Sequence, residues 1–299
     1  MLTGLHILLT YRCILECDHC FVYSGPQAEG TFTLDQLRDA LEQARQVDSI
    51  TEIYFEGGEP FLYYPLLLEG VRLARAMGFE VGIVTNSYFA TSETNAELFL
   101  RPLVEQGIFD LSVSDDALHH GDDPDTPARR AFAAAQRLGL PVGAISIEEP
   151  SVQPAPDTDT AKGAPIVGGD VRFRGRAVDT MTGDLPVLPW NSFTECPYEN
   201  LADPGRVHLD SYGNIHLCQG LILGNIWESP LADLLAQYDP DMHPIVGPLL
   251  RGGPSRLAVE RGFQPDGGYI EACHLCFVTR RALLDAYPDL LAPRQVYGV

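Results

Sequence analysis

From residue 5 to about 149, strand and helix signals alternate at a steady spacing, and this regularity constrains the fold more than any other feature of the 299-residue chain. His6 to Thr10 reads as a first strand, and Thr33-Leu34-Asp35-Gln36 as a capping box opening a helix with apolar Leu34, Leu37, Leu41, Ala44 and Val47. Thr51 to Phe55 is β-rich, and Leu66 to Met77 reads as a helix stopped at Gly78, where a left-handed cap is expected. Strand Glu80 to Thr85 precedes a helix opened by Thr94-Asn95-Ala96-Glu97 and closed at Gly107. Strand Phe109 to Ser114, a helix from Pro127 to Gly139 and strand Pro141 to Ile147 complete the run. Such βα repeats predict a parallel sheet with right-handed crossovers, and place functional residues on loops at the carboxyl ends of the strands.

Those loops are chemically distinctive. After the first strand come Cys13, Cys17 and Cys20; after the second, Glu56-Gly57-Gly58-Glu59-Pro60; after the third, Thr85-Asn86-Ser87; after the fourth, Ser114-Asp115-Asp116. Three thiolates from one loop can hold three corners of an iron-sulfur cube and leave the fourth iron open for chemistry. The competing readings are a three-ligand zinc site, although zinc usually takes paired C-x2-C half-sites, or buried thiols without metal. Two glycines at a strand end allow backbone to approach a ligand closely, and Glu59 offers a carboxylate to an amine.

Charge narrows the partners. With 41 acidic against 20 basic residues the formal charge is -21, which disfavours nucleic acid and anionic membranes and reads first as an acidic solvated face. The seven cysteines are odd in number and fall in three groups, unlike a disulfide framework. No charged leader precedes a long apolar segment and no run of about twenty apolar residues exists, so the chain reads as a cytoplasmic protein whose thiols bind metal.

Pro150, Pro154, Pro156 and Pro165 predict an irregular loop or lid over 150–169, with the helix between the fifth and sixth strands absent or very short. Asp170 to Ala177, where Val171 and Phe173 alternate with Arg172, Arg174 and Arg176, reads as a sixth strand. The expected architecture is therefore α/β: a partial (β/α)6 barrel over 1–180, then a small α+β cysteine-bearing domain over 181–299. In the latter, Val207–Leu209 and Ile215–Leu217 form a hairpin ending in Cys218, and Pro230 to Tyr238 a helix. Cys196, Cys218, Cys273 and Cys276 can close a tetrahedral zinc site or a fully ligated 4Fe-4S cluster, and ligand count does not decide between them.

The C-x3-C-x2-C after the first strand and the GGE-P after the second resemble the radical S-adenosylmethionine superfamily, and the resemblance runs from residue 5 to about 180. It implies a 4Fe-4S cluster on Cys13, Cys17 and Cys20 whose open iron is chelated by S-adenosylmethionine, and reductive cleavage to methionine and a 5′-deoxyadenosyl radical. By the same resemblance Glu59 holds the methionine amino group, and Gly57, Gly58, Asn86 and Ser87 belong to the cofactor rim. Ser114 and Asp116 match an S-x-D-G segment in which Ala117 replaces the glycine. Arg129 or Arg130 occupies the region of an arginine near the methionine carboxylate, and His19 stands where an aromatic packs on the adenine edge.

The tail's order of Cys196, Gly213-x4-Cys218 and Cys273-x2-Cys276, with Leu223-Gly224-Asn225-Ile226, resembles the "twitch" form of the SPASM auxiliary-cluster domain and implies a second 4Fe-4S cluster. Relatives of this kind modify peptides or dehydrogenate small amino sugars and cyclitols, using a reductant such as flavodoxin or ferredoxin. Peptide maturation is the leading expectation. The chain begins about five residues before the first strand, so a fused N-terminal peptide-recognition domain is not expected, which weakens the peptide reading without excluding it, since recognition can reside in a separate protein. A non-catalytic iron-sulfur electron carrier would keep the cysteines but have no need of Gly57, Gly58 and Glu59. Asp116 is the first candidate for a catalytic base, with Glu148 and Asp210 behind it.

Overall fold

Leu5, Ile7 and Leu9 alternate with His6, Leu8 and Thr10, and this period of two sets the faces of strand β1 (Gly4–Thr10) in the computed structural model, which describes residues 1–154 and 165–299. β2 (Glu52–Gly57), β3 (Glu80–Thr85), β4 (Asp110–Ser114) and β5 (Val142–Ile145) follow side by side, all parallel. They are connected by α1 (Leu34–Arg45), α2 (Tyr64–Ala76), α3 (Glu93–Glu105), the short α4 (Ala117–His120) and α5 (Pro127–Arg137). α1 opens on the expected capping box: Gln36 N–H donates to Thr33 Oγ1, and Thr33 N–H donates to Gln36 Oε1.

One face of the sheet is apolar. Leu5, Ile7, Leu9, Ile53, Phe55, Val81, Ile83, Leu111 and Val113 are buried in a common core with Leu37, Leu41, Leu67, Val71, Leu100 and Leu103 of the helices. The alternate positions are polar: His6, Tyr54, Glu56 and Ser112 border a cavity on the other face. The crossovers put every strand's carboxyl end, and so the cysteine loop, on one rim.

Two expectations are corrected. Asp170 to Ala177 is not a strand, because its hydrogen-bonding groups are taken elsewhere: Phe173 N–H donates to Glu271 Oε1 at 2.6 Å, Arg176 N–H to Cys20 O at 2.9 Å, and Gly175 turns with φ +61°. The sixth parallel strand comes instead from the tail: β9 (Arg206–Leu209) pairs with β1, in register from Gly4↔Arg206 to Ile7↔Leu209. Within 150–169, Ser151–Pro154 (β6) and Pro165–Gly168 (β7) form an antiparallel pair rather than irregular chain. The remaining part of the expected lid, 155–164, lies outside the described residues.

After α6 (Ala177–Thr180) and β8 (Leu188–Pro189), β9 turns into β10 (Asn214–Cys218) and β11 (Leu221–Asn225). One sheet of order β11-β10-β9-β1-β2-β3-β4-β5 thus includes strands from both sequence segments, and among the described residues β5 and β11 are its open edges. α7 (Leu231–Gln237), α8 (Val246–Glu260), β12 (Gly268–Tyr269), which pairs with β8, and α9 (Ala272–Ala282) complete the tail.

Asp210 ties these parts together instead of facing the rim as a base. Fully buried in the turn after β9, it accepts from Tyr11 Oη at 3.0 Å, Asn214 N at 2.9 Å, Asn214 Nδ2 at 3.0 Å, Tyr212 N at 3.0 Å and His216 Nε2 at 3.1 Å. Burial raises its pKa, but the hydrogen bonds and charge of His216 and the bonds from Asn214 outweigh that and hold it below the ordinary value. A depressed folded pKa contributes stability that is present above the unfolded pKa of about 3.9 and lost as pH falls through the folded one. Asp210→Asn is therefore expected to cost about 3 kcal/mol at neutral pH, the scale of breaking a buried pair. In urea unfolding, the gap to the parent should hold above about pH 5 and shrink in acid; a gap independent of pH would contradict the assignment.

Candidate functional site

The cysteine loop leaves β1 at Thr10 and is held by backbone contacts. Cys13 N–H donates to Gly25 O at 3.1 Å and Cys20 N–H to Cys17 O at 3.1 Å, while Arg176 donates to Cys17 O at 2.7 Å and Ser24 O at 2.6 Å. Gly57 and Gly58 serve this loop. A Cβ on Gly57, whose φ is +137°, would lie 2.3 Å from Thr10 O, and one on Gly58 2.3 Å from Arg12 O. Their bareness lets the end of β2 press on the cysteine loop, with Gly58 N–H on Thr10 O at 2.7 Å and Glu59 N–H on Arg12 O at 2.9 Å. The close approach is made toward β1 and the cysteine loop, while both glycines also border the cavity that the three thiols line.

The three thiols border one cavity of about 570 Å³. Leu15 N–H and Asn86 Nδ2 each lie 3.4 Å from Cys13 Sγ, and Ser24 N–H lies 3.2 Å from Cys20 Sγ. Burial first, and neighbouring thiols and carboxylates after it, push Cys13 up to about 11 and Cys17 up to about 12. Such thiols stay protonated unless a positive centre replaces the protons. N–H donors aimed at sulfurs that need a cation fit an iron-sulfur cluster.

Glu59 is fully buried below them. Phe61 N–H and Thr85 Oγ1 donate to its Oε1 at 3.0 and 2.8 Å, and Asn86 N–H to its Oε2 at 2.8 Å. None of these is a cation, and burial pushes the carboxyl up to about 7 against the pull of the hydrogen bonds. Glu59 does not itself border the cavity, which its neighbours Gly58, Thr85 and Asn86 line; a ligand ammonium that reached it would offset that burial, as the methionine amino group of S-adenosylmethionine could.

The other expected residues divide by position. Asn86, Ser114 and His19 border the cavity. Ser114 O accepts from His120 Nε2 at 2.8 Å. His19 packs edge-on to His119 with ring centroids 4.7 Å apart; burial lowers its pKa to about 4, and Nδ1 is left without a partner. Ser87, buried with φ +63° and an unpartnered Oγ, lies behind Asn86 and does not border the cavity. Asp116 caps α4: it accepts from His119 N at 3.0 Å, His119 Nδ1 at 2.8 Å and Ile147 N at 3.2 Å. Burial raises its pKa but these bonds outweigh it, so the carboxyl is lowered. Arg130 donates to Ala90 O at 2.8 Å and Asp125 Oδ2 at 2.9 Å, and Arg129 to Asp115 and Pro124; neither arginine borders the cavity. Glu148 is exposed.

Sequence reasoning missed the cavity's far wall. His6, Glu56 and His208 face it from β1, β2 and β9, beside Arg172, Arg174, Arg206 and Gln219. The available signal was the polar residue at alternate positions of otherwise apolar runs, as in Leu5-His6-Ile7 and Val207-His208-Leu209. The three arginines also show that the acidic net charge does not describe the cavity.

Beyond Arg174 lies a second, apolar pocket bordered by Cys196, Cys218, Cys273 and Cys276, with Leu249, Pro254 and Arg280. Cys273 and Cys276, three apart near the start of α9, share a helix face. Cys218 ends β10. Burial, and charge coupling among these thiols, push Cys273 well up and Cys276 up to about 11. Arg174 Nη1 donates to Cys218 Sγ and to Glu199 Oε1, both at 3.3 Å, and so belongs to both cavities. With a redox centre on these thiols, Arg174→Gln should shift its reduction potential negative, because a donor and a positive charge near the sulfurs stabilise the reduced form. Redox titration followed by electron paramagnetic resonance checks this, and an unshifted potential would contradict it.

Residues 7–148 match the model of the Radical SAM superfamily. The chain is 33% identical over 115 residues to the tungsten-containing aldehyde ferredoxin oxidoreductase cofactor-modifying protein of Pyrococcus furiosus, covering 38% of this chain and 31% of that protein. It is 32% identical over 145 residues to the PqqA peptide cyclase of Streptomyces rochei, 46% of this chain and 38% of that one. The chain thus spans about a third of the length of the curated relatives it matches. Among solved structures, BtrN in complex with AdoMet and 2-DOIA shares the fold, with a TM-score of 0.55 at 17% identity over 93% of this chain and 92% of that one. Residues 7–148, which place three thiols and the buried Glu59 on one rim, thus carry a Radical SAM domain.

Proposed function

We propose that this enzyme oxidatively modifies a peptide, with one 4Fe-4S cluster on Cys13, Cys17 and Cys20 and an auxiliary 4Fe-4S cluster on Cys196, Cys218, Cys273 and Cys276. When bound, the first cluster and S-adenosylmethionine supply a 5′-deoxyadenosyl radical that abstracts a substrate hydrogen. The observation that carries the reading is that one cavity is bordered by Cys13, Cys17 and Cys20 and also by Arg174 and Gln219, the contact and the chain neighbour of Cys218. Hydrogen removal beside the loop thiols and electron departure toward the tail thiols need one such shared cavity. Leu15, Ser24 and Asn86 orient the loop thiols, Glu59 receives the amino group, and Arg174 faces the substrate and the second site together.

A cluster suits the tail better than zinc. Among the described residues no three of these four sulfurs lie within 4.8 Å of one another. Zinc–sulfur bonds near 2.3 Å require sulfurs about 3.8 Å apart.

Support for a peptide comes from β5. Among the described residues it pairs only with β4, and Ile145 at its end borders the cavity. An extended peptide can add to this edge and place a side chain inside. Two relatives, PqqA peptide cyclase and the putative peptide biosynthesis protein YydG of Bacillus subtilis, carry peptide names. A flavodoxin or ferredoxin as reductant, and a separate peptide-recognition protein, complete the proposal. A second reading, dehydrogenation of an amino sugar or cyclitol, is favoured by the cavity volume of about 570 Å³, within the range of small-ligand sites. The test is incubation with a deuterated short peptide encoded beside the gene. Deuterium in 5′-deoxyadenosine and a peptide lighter by two hydrogens are expected. Deuterium arriving only from an amino sugar or cyclitol would overturn the peptide reading.

A further inference from the structure

His6 and His208 are register partners on the adjacent parallel strands β1 and β9, and Glu56 lies two residues beyond Tyr54, the partner of His6 on β2. The period of two therefore turns all three side chains to the cavity face. Their ligand atoms lie within 4.8 Å of one another: His6 Nδ1 is 3.2 Å from Glu56 Oε2, and His208 Nε2 is 3.1 Å from Glu56 Oε1. These side chains are only 18%, 13% and 10% exposed.

Proximity alone would suit a hydrogen-bonded triad. His6 Nδ1 hydrogen-bonds Glu56 Oε2, whereas Glu56 Oε1, with His208 Nε2 3.1 Å away, is buried with no hydrogen-bond partner. Gln219 repeats the pattern: its Nε2 lies 3.4 Å from His208 Nε2, and its Oε1 is buried without a partner. Turning that amide over would bring a fourth donor, an oxygen, to the same point. Ligand atoms that close on one point, with a buried carboxylate oxygen and a buried amide oxygen beside it left without partners, are what a metal ion organises. Bonds of 2.0–2.2 Å at tetrahedral or octahedral angles put neighbouring ligands about 3.0–3.5 Å apart. The surroundings also fix the donors: Tyr54 stacks on His6 with centroids 4.8 Å apart, and Gly82 leaves room for that ring, since a Cβ there would lie 2.3 Å from it.

We propose that His6, Glu56 and His208 bind a single divalent first-row metal ion inside the cavity, separate from both cysteine sites. Two imidazoles and a carboxylate are a donor set for zinc or iron(II), and leave coordination positions toward the cavity. A substrate oxygen or nitrogen bound there would be oriented and acidified. The site does not depend on the radical reading, because it uses none of the cysteines.

Zinc is the probe. Protein with its iron-sulfur sites reconstituted is dialysed against zinc, and metal content is measured with zinc-edge X-ray absorption. A single zinc per chain with a nitrogen and oxygen shell is expected, falling to near none in His208→Ala and in the isosteric Glu56→Gln while iron content is unchanged. Unchanged iron also reports that the variants fold. No zinc in the parent, sulfur in the zinc shell, or zinc retained by Glu56→Gln would each overturn the proposal, whatever the result for 5′-deoxyadenosine.

Discussion

Replacing Cys13, Cys17 and Cys20 together by alanine is expected to leave a folded protein with about four of roughly eight irons and no production of 5′-deoxyadenosine. The fold should survive because the loop is held by backbone groups and by Arg176, not by the thiols: the Arg176 bonds to Cys17 O and Ser24 O use carbonyls that alanine keeps. Replacing Cys273 and Cys276 should remove the other half of the iron and leave uncoupled S-adenosylmethionine cleavage intact, because those thiols line a different pocket. Iron assay and chromatography of the nucleoside separate the outcomes. Loss of all iron in the first variant would mean that the two sites are not independent. Near four iron plus one zinc with a sulfur shell in the parent would make the tail a zinc site.

Gly58→Ala should be nearly as severe, although it removes no ligand. Its Cβ would meet Arg12 O at 2.3 Å and Tyr11 O at 2.6 Å, backbone atoms that have no rotamer to escape into. The loop must move or the end of β2 must separate from it, and overpacking of this kind costs about 1–3 kcal/mol. Because the displaced segment is the cysteine loop itself, the expected result is a lowered melting temperature and about half the iron, lost from the first site. Gly143→Ala on β5 is the control, with nothing within 4 Å of the new Cβ. Equal behaviour of the two variants would show that close packing of β2 on the loop does not set the site.

The parallel core was legible because each strand and helix carries its own punctuation: the Thr33 capping box, Gly78 after α2, Pro127 opening α5. The rim was legible for the same reason, since βα order alone brings Cys13, Glu59, Asn86 and Ser114 to one side. Non-local pairing was not. Val171 and Phe173 alternate with arginines as a strand would, yet Arg174 is drawn to Cys218 and Arg176 to the loop carbonyls, contacts across 44 and 152 or more residues. β9 carries no local sign that it will lie beside β1. Its placement there brings His208 to His6 and Glu56, so the same long-range pairing that escaped the sequence built the part of the site that also escaped it. Asp210 illustrates the converse: a carboxylate in a polar turn looks reactive until its five donors are seen.

The account rests on radical chemistry at Cys13, Cys17 and Cys20, and one anaerobic incubation tests it. Reconstituted protein with S-adenosylmethionine and dithionite should yield 5′-deoxyadenosine and methionine in equal amounts, with none from Cys13→Ala. Protein that holds its full iron and binds S-adenosylmethionine, yet forms no 5′-deoxyadenosine, would contradict it.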